Sequence, residues 1–270
     1  MTSIHSPNGL WILKSGLDTF PELMKHLAVS SPFRKSIILL TLATQNIVGQ
    51  AQLTIVSYEM EKSTITETRP GNVVNGNVSA NNLTAGSGIN PKDEGSGQWA
   101  WRDWGTGIAT ADSALASNKF WSWGFNVTGN VDIDLTTLDI SVDKTSNGPD
   151  DFEIRAAVNG GGSSTVFTHD FAGSFGSAVD FANVDLSGFA SLQNLTLGDS
   201  VEFTLIAFNG NAFNGGNLGI VNEGTFADGD GLVISGTVSP VPEPLEFSII
   251  TAMALVGLAY RRRVRADAKC

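Results

Sequence analysis

Apolar and polar residues alternate with a period of two through the middle of the chain. Trp121, Trp123, Phe125 and Val127 alternate with Ser122, Gly124 and Asn126, and Leu138, Ile140 and Val142 with Asp139 and Ser141. Val201, Phe203 and Leu205 alternate with Glu202 and Thr204 in the same way. Successive side chains of a strand point to opposite faces, so each stretch reads as a half-buried strand with one wet face. Shorter apolar runs predict further strands at Leu53 to Val56, Val73 to Val78, Phe152 to Val158, Thr165 to Thr168, Val179 to Val184, Leu218 to Val221 and Leu232 to Val238. Turn chemistry separates them at Ser146-Asn147-Gly148-Pro149, Asn159-Gly160-Gly161-Gly162, Asn209-Gly210-Asn211 and Asp228-Gly229-Asp230-Gly231. About ten short strands with no helix between them predict an all-β fold, an antiparallel, jelly-roll-like β-sandwich spanning residues 52–239.

The pattern changes at both ends. Arg34 and Lys35 precede an apolar stretch from Ser36 to Thr44, and Gly49-Gln50-Ala51 offers small residues beyond a polar gap. Basic, apolar and small in that order is the secretory signal pattern, so residues 1–51 are expected to be an N-terminal extension and signal helix. From Met1 that segment has 51 residues, and from Met24 it has 28. Signal peptides run to about 15–30 residues, which makes Met24 the expected start of translation. The competing reading is a buried amphipathic helix.

At the other end, Ser239-Pro240-Val241-Pro242-Glu243-Pro244 leads into a 14-residue apolar run, Phe247 to Tyr260, and then to Arg261, Arg262, Arg263 and Arg265. A membrane helix needs about 20 apolar residues. Leu245, together with Glu246 and the arginines snorkelling to the interface, brings the run close to a minimal span. The arginines hold the distal side in the cytoplasm by the positive-inside bias, which puts everything before Pro242 outside. Prolines so closely spaced fit neither a helix nor a central strand, so the peptide just outside the membrane is extended and open to a protease.

Residues 240–270 resemble the PEP-CTERM sorting signal of Gram-negative and related bacteria: a Pro-Glu-Pro motif, a short apolar helix and an arginine-rich end. The matching motif is Val241, Pro242, Glu243 and Pro244, and the matching basic cluster is Arg261, Arg262, Arg263 and Arg265. The resemblance implies a single C-terminal transmembrane helix that anchors the precursor in the inner membrane. It also implies recognition by a membrane-embedded exosortase that cuts near the motif, releasing the protein to the cell surface or beyond, often in organisms that make extracellular polysaccharide. An ordinary tail anchor on a proline-rich stalk is the alternative. Residues 119–238 resemble, more loosely, a β-sandwich module of secreted proteins with such tails, from the aromatic strand Lys119 to Phe125 through Val184-Asp185-Leu186-Ser187-Gly188-Phe189 to the final strand at Gly229 to Gly236. That module carries no catalytic signature.

Composition narrows the chemistry. The chain has 270 residues, 41% hydrophobic and 16% charged, with a formal charge of -11. Within residues 52–239, seven lysines and arginines stand against 22 aspartates and glutamates, a balance of -15, so the basic excess is confined to the ends. Nucleic acid and anionic lipid surfaces gain nothing from such a body. The one cysteine, Cys270, has no partner for a disulfide within the chain, and His169 is the only histidine of the body, which leaves a zinc site short of ligands. His169 and Asp170 are neighbours in an expected strand and so point to opposite faces, which excludes a direct dyad and leaves His169 as a lone exposed residue.

Three binding possibilities persist. Five of the six tryptophans fall between positions 99 and 123. Of these, Trp99, Trp101 and Trp104 follow a Gly- and Asn-rich loop, and exposed together they form a stacking platform for sugars. Glu223, Asp228 and Asp230 supply some of the oxygens calcium wants, although the spacing is not that of an EF-hand; apart from calcium no cofactor is expected. Asp132 and Asp134 lie on one strand face at a spacing that suits sugar hydrolysis, but carboxylate pairs arise readily among so many acids. The expected role is an exported surface or matrix component without catalytic activity. A secreted carbohydrate-binding module is the alternative, and a glycan-cleaving enzyme comes after it. The partners expected are the sorting protease, the inner membrane and extracellular polysaccharide, with no nucleic acid.

Overall fold

The computed structural model describes residues 51–60, 68–73, 75–92, 98–104, 107–171, 178–210, 216–221 and 231–241. The chain divides into two units between Gly49 and Gln50, and every described residue lies in the second. The expected signal helix and transmembrane helix fall outside the described residues. Among those described, no helix is long and apolar enough to cross a membrane.

The body is built from strands β1 (Leu53–Tyr58), β2 (Thr68–Arg69), β3 (Asn72–Val73), β4 (Val78–Ala85), β5 (Asn90–Lys92) and β6 (Gln98–Arg102). A short helix, α1 (Ala111–Ala116), precedes β7 (Phe120–Val127), β8 (Val131–Lys144), β9 (Pro149–Val158), β10 (Ser164–Asp170) and β11 (Val179–Asp185). The series closes with β12 (Ser200–Gly210), β13 (Leu218–Val221) and β14 (Leu232–Pro240). They form two antiparallel sheets that share a core, an all-β sandwich. Sheet one runs β3-β1-β14-β8-β13-β6-β5, with β11 also on β8, and sheet two runs β10-β9-β12-β7-β4-β2.

The long strand β8 is the spine of sheet one. Ile140 pairs with both Leu232 and Phe181, and Val142 with both Ile220 and Val179. Strands β14 and β13 therefore succeed one another along one edge of β8, while β11 takes the other. The inward set on β8 changes parity within the strand: Ile133 and Leu135 are buried before Thr136, and Leu138, Ile140 and Val142 after Thr137. The bulge that causes the shift lies in β8 itself: consecutive residues Ser235 and Gly236 of β14 pair with Thr137 and Leu135, so Thr136 is the one extra residue that moves the apolar set of β8 to the other parity. Against this face lie Trp121, Trp123 and Phe125 of β7 and Phe203 and Leu205 of β12, all in one continuous buried cluster.

The strands carrying the clearest alternation are those whose two faces differ most. The turn at Asn159-Gly160 has φ of 54° and 65°, and Gly161 N–H donates to the Val158 carbonyl at 2.9 Å. Positive φ at both central residues is the type I′ turn that joins twisted strands, here β9 and β10. Two expectations are corrected. Val73 to Val78 is not one strand: Asn75 Oδ1 accepts the Asn77 N–H at 2.9 Å, and this side-chain turn splits the run into β3 and β4. Nor is the body free of helix. Thr110 caps α1 by accepting the Ser113 N–H at 3.3 Å, and Asn118, at φ 54°, ends it. Lys119 N–H returns to the Ala114 carbonyl at 2.9 Å and Asn118 N–H to Leu115 at 3.0 Å, a Schellman closure. Six residues are too few to display a 3.6-residue period, but Ala111 and Ala114 are small enough to seat the helix on Ile206 of sheet two.

Candidate functional site

The tryptophans do not form a platform. Trp99, Trp101 and Trp104 are 2%, 3% and 1% exposed. The reason is that β6 is a paired strand of sheet one, with Trp99 opposite Ile220 and Trp101 opposite Leu218. Trp99 lies 5.2 Å from both Trp101 and Trp121, and Trp104 meets Trp121 edge-on at 4.9 Å. Trp104 Nε1 donates to the Trp101 carbonyl at 2.9 Å. The buried Nε1 atoms of Trp101, Trp121 and Trp123 have no hydrogen-bond partner among the described residues. Rings committed to one another in this way cannot stack on a sugar, so the carbohydrate candidates become core. The sequence signal that distinguishes the two cases is the two-residue spacing of Trp99 and Trp101, which is that of one strand face.

Glu223, Asp228 and Asp230 lie outside the described residues, as do Pro242, Glu243, Pro244, Arg261, Arg262, Arg263 and Arg265. Among the described residues no group of three or more His, Cys, Asp or Glu is placed to hold a metal ion. Asp132 and Asp134 share one face of β8, opposite Ser239 and Thr237 of β14. Asp134 is already engaged, its Oδ1 accepting the Asn194 N–H at 2.7 Å in a turn where Asn194 has φ 55°. One carboxylate spent on fixing a loop, with its neighbour on the same surface, is not the opposed pair that glycoside hydrolysis uses.

His169 is not an exposed lone residue. It is half-buried on the inner face of β10, with ring centroids of Phe181 at 4.5 Å, Phe171 at 4.9 Å and Phe152 at 5.8 Å. Burial lowers its pKa from the ordinary 6.5, against the opposing pull of Asp170 and Asp151. Sequence reasoning missed the cluster because Phe152, Phe167, Phe171 and Phe181 come from different strands, and only the folded edges bring them together.

Charged groups are used to fasten connections. Lys144, with its side chain 3% exposed, meets Asp150 at 2.6 Å and stands 5.4 Å over the Phe171 ring, holding the crossing from β8 in sheet one to β9 in sheet two. Lys119 donates to the backbone carbonyls of Gly88, at 3.0 Å, and Asp103; burial lowers its pKa, and the nearby Asp103 charge works against that shift. Arg155 on β9 bonds Glu153 and reaches Asp112 of α1 at 2.8 Å.

The two ends of the sandwich emerge together. Leu53 pairs with Gly236, and β1 runs antiparallel to β14, so residue 51 and residue 241 leave from the same end of sheet one. Gln52 Nε2 donates to Thr137 Oγ1 at 2.8 Å on one side, and Val241 N–H donates to the Asn130 carbonyl at 3.3 Å on the other. The sheet's backbone bonding thus continues to the residue before Pro242. No family model matches the chain, and no curated protein matches it either.

Proposed function

We propose that this protein is an exported surface or matrix component, a jelly-roll-like sandwich delivered by a sorting tail of the PEP-CTERM kind and carrying no catalytic activity of its own. The carrying observation is where the ends of the fold lie relative to the addresses in the sequence. Residue 51 closes the signal pattern and residue 241 immediately precedes the Pro-Glu-Pro motif in the sequence, and residues 51 and 241 leave from the same end of sheet one. A body whose two ends leave together can sit outside a membrane while both flanking segments reach back to it. Proline at 242 and 244 withholds backbone N–H groups from any further ladder, so an extended, cleavable peptide follows directly on the last strand. The 14-residue apolar run and the arginines behind it then act as anchor and stop. In this reading an exosortase-type protease is the first partner and the inner membrane the first location. Extracellular polysaccharide is the surrounding matrix, and the buried tryptophans give no support to binding it through a stacking platform.

Cell fractionation tests this. With an epitope inserted in the body and the producing bacterium separated into cytosol, inner membrane and exterior, the reading expects a membrane-bound precursor and a shorter external form. Replacing Pro242, Glu243 and Pro244 by alanine is expected to hold the protein as the membrane-bound precursor. Intact polypeptide dissolved in the cytosol contradicts the reading.

A further inference from the structure

The side of the sandwich between β10 and β11 is closed by side chains. Strand β10 is the last of sheet two and β11 lies on the outer edge of β8 in sheet one. Among the described pairings none joins the two strands. Phe181, the aromatic residue of β11, fills the seam: it meets Phe167 at 5.2 Å, Phe152 at 5.5 Å and His169 at 4.5 Å. On its other side β11 pairs with β8 through residues 179–181 and 184–185, and the ladder is interrupted by an irregularity between Phe181 and Val184. At that break Asn183 adopts φ 58° and donates its N–H to Asp139.

We propose that His169 makes this seam an acid-released latch: the neutral imidazole packs as one more ring against Phe181, and its protonation loosens β11 from the aromatic cluster. An imidazolium at this place must give up water on the side where Phe171 and Phe181 press against it, a cost that attraction to the ring faces offsets in part. The charged groups around it divide. Asp151 on β9 and Asp170 on β10 favour the proton. Lys144 at the end of β8, over Phe171, opposes it, with its own charge balanced by Asp150 at 2.6 Å. Asp180 on β11 is taken up by Ser141 Oγ at 2.6 Å. Burial outweighs the two favourable carboxylates and holds the folded-state pKa below 6.5. With the folded value below the unfolded one, the unfolded or opened state binds more protons as pH falls. The stabilisation by His169 is therefore complete above about pH 6.5 and is lost as pH drops through that value toward the lower folded pKa. Loosening β11 bares the edge of β8 over residues 137–142, together with the apolar faces that Phe181 covers.

Amide hydrogen exchange on the full chain, at about pH 7.5 and about pH 5.5 and corrected for intrinsic exchange, tests the latch. The expected result is a severalfold loss of protection in β11 at the lower pH, up to about tenfold per unit of pKa displacement, with β12 unchanged as internal reference. His169→Phe keeps the ring packing and is expected to retain β11 protection at both pH values. His169→Gln is expected to lower protection at both, without pH dependence. Equal protection of wild-type β11 at the two pH values overturns the proposal. A pH dependence undiminished in His169→Phe also overturns it, by assigning the effect to the carboxylates.

Discussion

The hydroxyl of Tyr58, on β1 of sheet one, accepts the backbone N–H of Gly124, on β7 of sheet two, at 3.1 Å. Its own hydrogen lies between the carbonyls of Asn81 at 2.8 Å and Gly124 at 2.9 Å. The ladder between β4 and β7 is irregular between Asn81 and Thr84, so the phenol crosses the core and serves backbone groups beside the irregularity. Burial raises the Tyr58 pKa well above its ordinary 10, opposed by the hydrogen bond with Gly124.

Removing that hydroxyl is expected to cost more than an ordinary hydrogen bond. Tyr58→Phe leaves a buried N–H without its partner, which costs about 1–3 kcal/mol. Gly124→Ala is expected to be worse, because φ is 156° and a Cβ there falls 1.9 Å from the Val201 carbonyl oxygen. Urea unfolding checks both: the midpoint of Tyr58→Phe falls and Gly124→Ala falls further. An unchanged midpoint for Tyr58→Phe refutes the cross-sheet bond as a stabilising contact, and an unchanged midpoint for Gly124→Ala refutes the close approach of Gly124 to Val201.

The Lys144 and Asp150 pair predicts an asymmetry. Asp150→Ala strands a buried ammonium and is expected to destabilise by about 3 kcal/mol or more. Lys144→Met removes the buried charge, keeps the stem's volume and is expected to cost much less, since such pairs repay little beyond their own desolvation. Denaturant midpoints for the two variants decide it; equal losses speak against a buried-charge penalty.

Asp199 ties the β9–β10 turn to the start of β12. Its Oδ1 accepts from Asn159 Nδ2 at 2.7 Å, and its Oδ2 accepts the Thr196 N–H at 2.7 Å. The Asn159 side chain is the largest cause holding the Asp199 pKa below its ordinary 3.8. A depressed folded value makes the contribution full above the unfolded pKa and lost as pH falls through the folded one. Carboxyl titration by NMR is expected to place Asp199 below 3.8 in the wild type and closer to it in Asn159→Ala. An Asp199 that titrates at its ordinary value in both proteins removes the link.

Tryptophan truncation separates core from binding surface. Trp99→Ala and Trp101→Ala are each expected to destabilise by about 3–5 kcal/mol, as large-to-small changes in a packed core do. A variant that keeps full stability while losing affinity for a glycan returns these residues to the surface.

How far the fold was legible depended on how each strand divides its faces. Trp121 to Val127 and Val201 to Leu205 present one apolar and one polar face, and both lie in strands of sheet two with the expected side inward. Strand β5 is Asn-Pro-Lys, too short to show a period, and β6 offers only the two-residue spacing of Trp99 and Trp101, too brief to mark a strand by itself. Their strand state comes from pairing with one another and with β13, a long-range fact. The same holds for the aromatic seam and for the Tyr58 bond, whose members lie 66 residues apart. Adjacent residues reveal periodicity; partners across two sheets do not announce themselves. The two ends fall outside the described residues, and their reading rests on the order of basic, apolar and proline segments in the sequence alone.

The most direct measurement is the C-terminus of the mature protein recovered from outside the producing cell, by intact mass and peptide sequencing. The account predicts a chain that retains β14 through Pro240, ends near Pro242 to Pro244 and lacks Phe247 to Cys270. Recovery outside the cell of a chain still carrying Arg261 to Cys270 contradicts it.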